Sequence, residues 1–281
     1  MRTPPRVMPA LITPFDDASH IDRGAHHHNV ATMWDRGVEG VLIGGSTGEG
    51  PYLEPGERYT LAITARHAAP DSFVMVGVTA ESLRMARAAI EEAVRAEADA
   101  VLVSTPTTLV RHRPDLIEGF FEDVATASPV PIFLYSVPRV TALELASESV
   151  ERLAGLPAIV GMKDSGGDPD RLGRLAAACE PGFLFFAGAS AAVAASVEQG
   201  AHGAITASTN YATALVERAV AGDGTPLTTV ATAVERFGIP AVKHAAMRTG
   251  LIPGLPRRPL RPPTPEQVAA IDQALTEAAL A

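Results

Sequence analysis

The sequence predicts an α/β protein, a (β/α)8 TIM barrel carrying a small C-terminal helical extension. Three observations point there. Eight short apolar, β-branched runs recur along the chain; amphipathic Ala/Leu/Arg/Glu-rich segments separate them; and small, polar or Pro residues follow each run. The length of 281 residues agrees with a closed barrel, which takes about 250 residues.

The runs in order are "VMPALIT" (7–13), "GVLIGG" (40–45), "FVMVGVT" (73–79), "AVLVSTP" (100–106), "IFLYSVP" (132–138), "IVGMKDS" (159–165), "FLFFAGAS" (183–190) and "GAITAST" (203–209). In a barrel the loops after these runs gather on one face, where substrates bind. Between the runs, Gly37 closes the first helix. In "ESLRMARAAIEEAVRAEA" a stripe of Leu83, Ala86, Ile90, Ala93 and Val94 faces the sheet. The barrel is expected to span residues 1–210 and the packed C-terminal helices 211–281, with no flexible linker between them. The last helix opens on Thr264, Pro265 and Gln267, which fit an N-cap, a first-turn proline and the far half of a capping box. A doubly wound sheet is the rival reading of the same alternation.

Hydrophobic residues make up 47% of the chain and charged residues 20%, enough for a sizeable core and unlike a disordered chain. The net charge of -9 includes no basic run, so neither nucleic acid nor an anionic membrane is an expected partner. The single cysteine, Cys179, cannot form an internal disulfide and is expected to be buried and inert. With no signal-like apolar stretch at the N-terminus, the expected location is cytoplasmic. The triplet His26, His27, His28 is read as a solvated helix face, since adjacent helical residues point in different directions and chelate poorly. No metal constellation or dinucleotide fingerprint stands out, so no cofactor is expected.

The chain holds 21 arginines and only two lysines, Lys163 and Lys243. A lysine kept against that bias suggests a need for an amine that can lose its proton, which a guanidinium does not do. Lys163 ends the sixth run, and strand alternation puts Ile159, Gly161 and Lys163 on one face, as it does Phe133 and Tyr135 in the fifth. Adjacent strands lie about 4.8 Å apart, so Lys163 and Tyr135 could meet at the barrel mouth. There an amine stripped of water can attack a ketone and form an iminium, an electron sink for a carbanion on the next carbon. The Tyr135 hydroxyl, donor and acceptor at once, could move the protons. "GGSTGEG" (44–50) ends the second run, and its backbone N–H groups with the Ser46 and Thr47 hydroxyls suit a carboxylate, although such clusters are also ordinary turn chemistry.

With these residues in place, the sequence resembles the dihydrodipicolinate synthase and N-acetylneuraminate lyase superfamily of class I pyruvate-dependent aldolases. The resemblance runs from "PALITPF" through "GGSTGE", "LYSVP", "GMKDSGGD" and "GAITAS" to "RFGIPAVKHAAM". It implies that Lys163 is the Schiff-base lysine, Tyr135 the proton shuttle, and Ser46 with Thr47 the pair holding the pyruvate carboxylate, Thr47 counting among the catalytic groups. Gly188 and Ile205 match positions lining the same pocket, with Ser190 close by. The glycines of "DSGGD" become a tight turn after the catalytic strand.

Two departures bear on specificity. Where dihydrodipicolinate synthases carry an arginine that binds the aldehyde substrate's carboxylate, this chain has Val140 in "YSVPRVT"; where they carry "TPYY", it has "TPTT", with Thr107 and Thr108 in place of a tyrosine pair. The segments "LYSVP", "GMKDSGGD" and "RFGIP" look most like 4-hydroxy-2-oxoglutarate aldolases, which yield pyruvate and glyoxylate. On that reading Tyr135 takes the 4-hydroxyl proton, and Arg139 or Arg111 could receive the distal carboxylate. A dihydrodipicolinate synthase-like enzyme, a sugar-acid aldolase or dehydratase, a specialised-pathway pyruvate aldolase, and a non-catalytic 2-oxo-acid binder remain alternatives. The expected partners are a small 2-oxo acid and an aldehyde. The resemblance further implies a homotetramer or homodimer.

Overall fold

The computed structural model describes residues 2–280, so the first and last residues of the expected span lie outside it. Eight parallel strands form its centre: β1 (Val7–Pro9), β2 (Gly40–Ile43), β3 (Phe73–Val78), β4 (Ala100–Ser104), β5 (Ile132–Ser136), β6 (Ile159–Asp164), β7 (Leu184–Ala187) and β8 (Gly203–Thr206). Each falls inside one of the eight predicted runs. The sheet order β1-β8-β7-β6-β5-β4-β3-β2 is closed by a parallel bridge between Ala10 and Leu42, with the Leu11 N–H donating to the Leu42 carbonyl at 2.8 Å. The fold is a (β/α)8 barrel.

The outer ring contains α1 (Arg23–Asp35), α2 (Glu57–Ala68), α3 (Leu83–Arg95), α4 (Pro114–Ala127), a short α5 (Pro138–Thr141), α6 (Ser147–Ala154), α7 (Pro169–Ala178), α8 (Val193–Glu198) and α9 (Thr213–Val220). Since α9 packs on β8 and β1, it completes the ring. The helices α10 (Thr225–Glu235), α11 (Ile239–Arg248) and α12 (Pro265–Glu277) follow and pack on one another. Thr264 caps α12 in the expected capping box, its hydroxyl accepting from Gln267 N–H and the Gln267 side chain accepting from Thr264 N–H. Among the described residues no helix is long and apolar enough to cross a membrane.

Apolar side chains form two clusters, as the alternation of strand faces requires. Met8, Leu42, Met75, Leu102, Phe133, Phe186 and Ile205 fill the barrel, while Val41, Val76, Val103 and Leu134 face the helices. Strand β6 departs from simple alternation. Its register against β5 shifts between Ile132 and Phe133: Ile132 pairs with Ile159, but Phe133 pairs with Gly161. The extra residue, Val160, packs against the inner cluster, and Ile159 lies with Met162 in the outer one. Ile159 therefore does not share the face of Gly161 and Lys163; a bulge flips the strand before the lysine.

Three further expectations are corrected. His26 is buried, with only His27 and His28 of the triplet exposed. Its Nε2 lies 3.1 Å from the Leu61 carbonyl, and burial pulls its pKa down to about 4. On α3 the stripe holds Ala86, Ala89, Ile90 and Ala93, whereas Val94 is 36% exposed. Glu92 takes a buried place there because its carboxylate accepts from the Gly56 and Tyr59 N–H groups at 2.8 and 3.1 Å. Cys179 is half-buried, with its thiol pKa raised chiefly by desolvation.

Candidate active site

The C-terminal ends of the strands surround a cavity of about 450 Å³. Of the residues singled out from the sequence, Ser46, Thr47, Tyr135, Arg139, Val140, Lys163 and Gly188 line it. Strand pairing explains the centre of the site. Tyr135 and Lys163 stand opposite each other in the β5–β6 register, both nearly buried, with the Lys163 Nζ 4.6 Å from the centroid of the tyrosine ring. The Tyr135 hydroxyl lies 3.4 Å from Ser46 Oγ, so amine, phenol and the β2 loop converge.

Gly188 leaves the lysine its space. A Cβ there would lie 2.8 Å from Lys163 Cε and 2.1 Å from Ser165 Oγ. The Gly188 N–H donates to the Asp164 carbonyl at 2.6 Å, drawing the end of β7 against the residue that follows the lysine. Asp164 points the other way: its carboxylate accepts from Arg171 and, at 2.6 Å, from the Gly166 N–H. Burial raises the Asp164 pKa, against the opposing pull of Arg171. This holds the "DSGGD" turn below the lysine.

The loop that carries Ser46 and Thr47 is held by the chain's other lysine. Glu49 adopts a left-handed φ of 58° and is 1% exposed. Its carboxylate is 2.6 Å from Lys243 Nζ on α11 and accepts from the Arg257 N–H at 2.7 Å. Lys243 also donates to the Leu255 carbonyl at 2.7 Å, and desolvation lowers its pKa. The amine of Lys243 thus ties α11 and the segment at Leu255 to the loop of Ser46 and Thr47.

Four expected residues lie elsewhere. Ile205 belongs to the packed barrel interior below the cavity. Ser190 sits behind the wall, donating to Glu235 at 2.6 Å. Thr107 and Thr108 do not line the cavity; their N–H groups donate to the Glu81 carboxylate at 3.0 and 2.8 Å, which fastens their loop to the end of β3. Sequence reasoning missed Glu235, the last residue of α10, which is the one carboxylate lining the cavity among the described residues. Gly238, Ile239 and Val242 from the α10–α11 turn and Leu260 complete that side.

Fold and cavity define a class: a (β/α)8 barrel with a lysine-bearing pocket at the strand C-termini. The model of the dihydrodipicolinate synthetase family matches residues 3–278. The chain belongs to that family, a family of lyases. It is 32% identical over 270 residues to a 4-hydroxy-tetrahydrodipicolinate synthase of Azoarcus sp., spanning 90% of this chain and 91% of the relative. A similar relative of Thiobacillus denitrificans, named for the same activity, is 32% identical over 96% of both chains. Among solved structures, the chloride-inhibited dihydrodipicolinate synthase of Acinetobacter baumannii complexed with pyruvate superposes with a TM-score of 0.90 at 25% identity, over 99% of this chain and 100% of the other. A prophage protein of the family from E. coli K12, in complex with pyruvate, gives 0.91 at 22% identity over 98% of each chain and supports the fold alone.

Proposed function

We propose that this protein is a class I aldolase that forms a Schiff base between Lys163 and a 2-oxo acid, with pyruvate as the common substrate or product. The observation that carries the reading is the buried Lys163 amine set beside Tyr135 under a cavity also lined by Ser46 and Thr47, with Ser46 Oγ 3.4 Å from the tyrosine hydroxyl. The 2-oxo acid carboxylate is received by the Ser46 and Thr47 hydroxyls and the surrounding loop. The amine attacks the ketone carbon. The Tyr135 hydroxyl delivers and removes the protons by which the carbinolamine loses water, and the iminium then accepts the electron pair of the bond that breaks.

The finer reading is a 4-hydroxy-2-oxo acid, first among them 4-hydroxy-2-oxoglutarate, cleaved to pyruvate and glyoxylate. Arg139 supports it as a cation at the cavity rim able to meet a distal carboxylate, a place that Arg111 does not share. The activity that names the curated relatives is the second reading, favoured by their 32% identity. Against it stands Val140, 57% exposed at the rim where such enzymes place an arginine. The exposed apolar Leu109, Leu116 and Val140 support a homo-oligomer.

The test is borohydride trapping with pyruvate followed by peptide mass spectrometry. The expected result is a reduced adduct on Lys163 and none in Lys163→Ala. A protein that takes up no label from pyruvate or larger 2-oxo acids is not an imine-forming enzyme. Cleavage rates on 4-hydroxy-2-oxoglutarate then decide between the two finer activities.

A further inference from the structure

Glu235 lines the same cavity as Lys163, but its position is set by a buried chain of hydroxyls behind the wall. Thr206 Oγ1 at the end of β8 lies 2.9 Å from Ser208 Oγ, Ser208 donates to Ser190 Oγ at 2.9 Å, and Ser190 donates to Glu235 Oε1 at 2.6 Å. The Tyr211 hydroxyl donates to the same oxygen at 3.4 Å. Thr206 and Ser208 are fully buried and Ser190 is 3% exposed, so the chain does not open to solvent. It fixes one carboxylate oxygen and polarises toward it, and the other oxygen is left for the cavity. Gly188, against Lys163 Cε, is two residues from Ser190, which ties this carboxylate to the β7 side of the lysine.

Tyr135 is held on the other side, 3.4 Å from Ser46 Oγ. It therefore attends the carboxylate and ketone end of a bound 2-oxo acid, whereas the carbon that departs as an aldehyde extends away from that end. The tyrosine pair of the resembling enzymes is replaced by Thr107 and Thr108, which do not line the cavity.

We propose that Glu235, in place of Tyr135, is the base that removes the C4 hydroxyl proton in aldol cleavage and the acid that returns it in synthesis. The proposal rests on the Schiff-base reading given above. In cleavage the O–H proton passes to the Glu235 carboxylate, and the O–H electron pair becomes the C4=O π bond. The C3–C4 pair moves to form C2=C3, while the iminium π pair settles on the Lys163 nitrogen as an enamine. Protonation at C3 and hydrolysis release pyruvate and free the lysine. Burial raises the Glu235 pKa, with Ser190, Tyr211, Arg139 and Lys163 pulling it back, a shift in the direction that helps a carboxylate hold a proton taken from the substrate. The titratable and charged groups facing it are Arg139 of α5, Tyr135 of β5, Lys163 of β6 and Tyr211 after β8.

The experiment compares wild type, Glu235→Gln and Ser190→Ala, using pyruvate for borohydride trapping. Cleavage is followed with the 4-hydroxy-2-oxo acids derived from glyoxylate, glycolaldehyde and acetaldehyde. Glu235→Gln should form the Lys163 adduct at the wild-type rate within about threefold, yet lose about 10²–10⁴-fold in kcat for cleavage. The acid limb of its pH profile should vanish. Ser190→Ala removes a donor that stabilises the carboxylate, so its acid limb should move to higher pH, a change that a purely structural role would not produce. Trapping intact with Glu235→Gln cleaving at wild-type rate, or a loss of trapping equal to the loss of cleavage, overturns the proposal. So does a wild type that traps pyruvate but cleaves none of the three acids, because no C4 hydroxyl then needs a base. Failure of the wild type to trap any 2-oxo acid is a different result and removes the Schiff-base reading itself.

Discussion

The Nζ of Lys163 lies 4.6 Å from the centroid of the Tyr135 ring, directly across the β5–β6 register. A cation over an aromatic face is attracted by the ring quadrupole. The nearest acid in sequence, Asp164, is turned outward and occupied by Arg171.

Tyr135→Phe separates the two roles of the tyrosine. The ring and its packing against the lysine remain, and only the hydroxyl 3.4 Å from Ser46 Oγ is lost. The expected outcome is a folded protein that still gives the Lys163 adduct, at a rate about 10²–10⁴-fold lower. Stopped-flow mixing with pyruvate and quenching in borohydride measures it; an unchanged rate removes Tyr135 from imine formation.

Gly188→Ala should be far more harmful to activity than to folding. The new methyl would meet Lys163 Cε at 2.8 Å, Ser165 Oγ at 2.1 Å and the Asp164 carbonyl at 2.9 Å. The lysine tip and the serine can move, whereas the backbone carbonyl cannot do so freely. A stability loss of about 1–3 kcal/mol is expected from overpacking. Displacing the nucleophile by about 1 Å is expected to slow adduct formation about 10²-fold. Parallel urea titrations and trapping rates check the two values, and a variant with wild-type trapping would show that the glycine does not set the lysine's position.

The eight strands were legible because each is a short apolar run whose period and punctuation are local properties, and Lys163 stood out through the scarcity of lysine. What was illegible depends on long-range packing. Glu235 lies 72 residues beyond Lys163 in an ordinary helical segment, and only the turn between α10 and α11 carries it to the cavity. Lys243 could be flagged as unusual, but its partner Glu49 is 194 residues earlier in the chain. Simple alternation puts Ile159 on the face of Lys163, and a bulge leaves no mark in the pattern of so short a strand. The motif they replace points Thr107 and Thr108 to the pocket, while their backbone N–H groups are tied to Glu81.

Lys243→Met should destabilise the protein by about 3–5 kcal/mol, because it leaves the Glu49 carboxylate buried without its cation. The side chains of the pair are 3% and 0% exposed, so water does not substitute readily. Adding Glu49→Gln should recover part of the loss, since the second change removes the stranded charge. Because Glu49 is two residues from Thr47, the single variant should also bind pyruvate more weakly. Urea midpoints for both variants and a pyruvate titration test this; a single-variant loss below about 1 kcal/mol would place the pair in the range of solvent-exposed bridges.

The buried His26 predicts the acid side of the stability profile. Its pKa falls from 6.5 in the unfolded chain to about 4 in the fold, chiefly through desolvation, with the Leu61 carbonyl opposing and His27 adding a smaller repulsion. Between those values the unfolded chain binds a proton that the folded chain refuses, so stability rises with pH across the window. The contribution is complete above about pH 6.5 and is lost progressively as the pH falls toward about 4, reaching about 3 kcal/mol for a shift of this size. His26→Gln keeps a side-chain N–H for the Leu61 carbonyl and cannot titrate. Its stability should therefore fall less than that of the wild type between pH 7.5 and pH 5, even if it is lower at both. Denaturant titrations at the two pH values give the comparison, and equal slopes for the two proteins would mean that the imidazole is protonated inside the fold or exposed in solution.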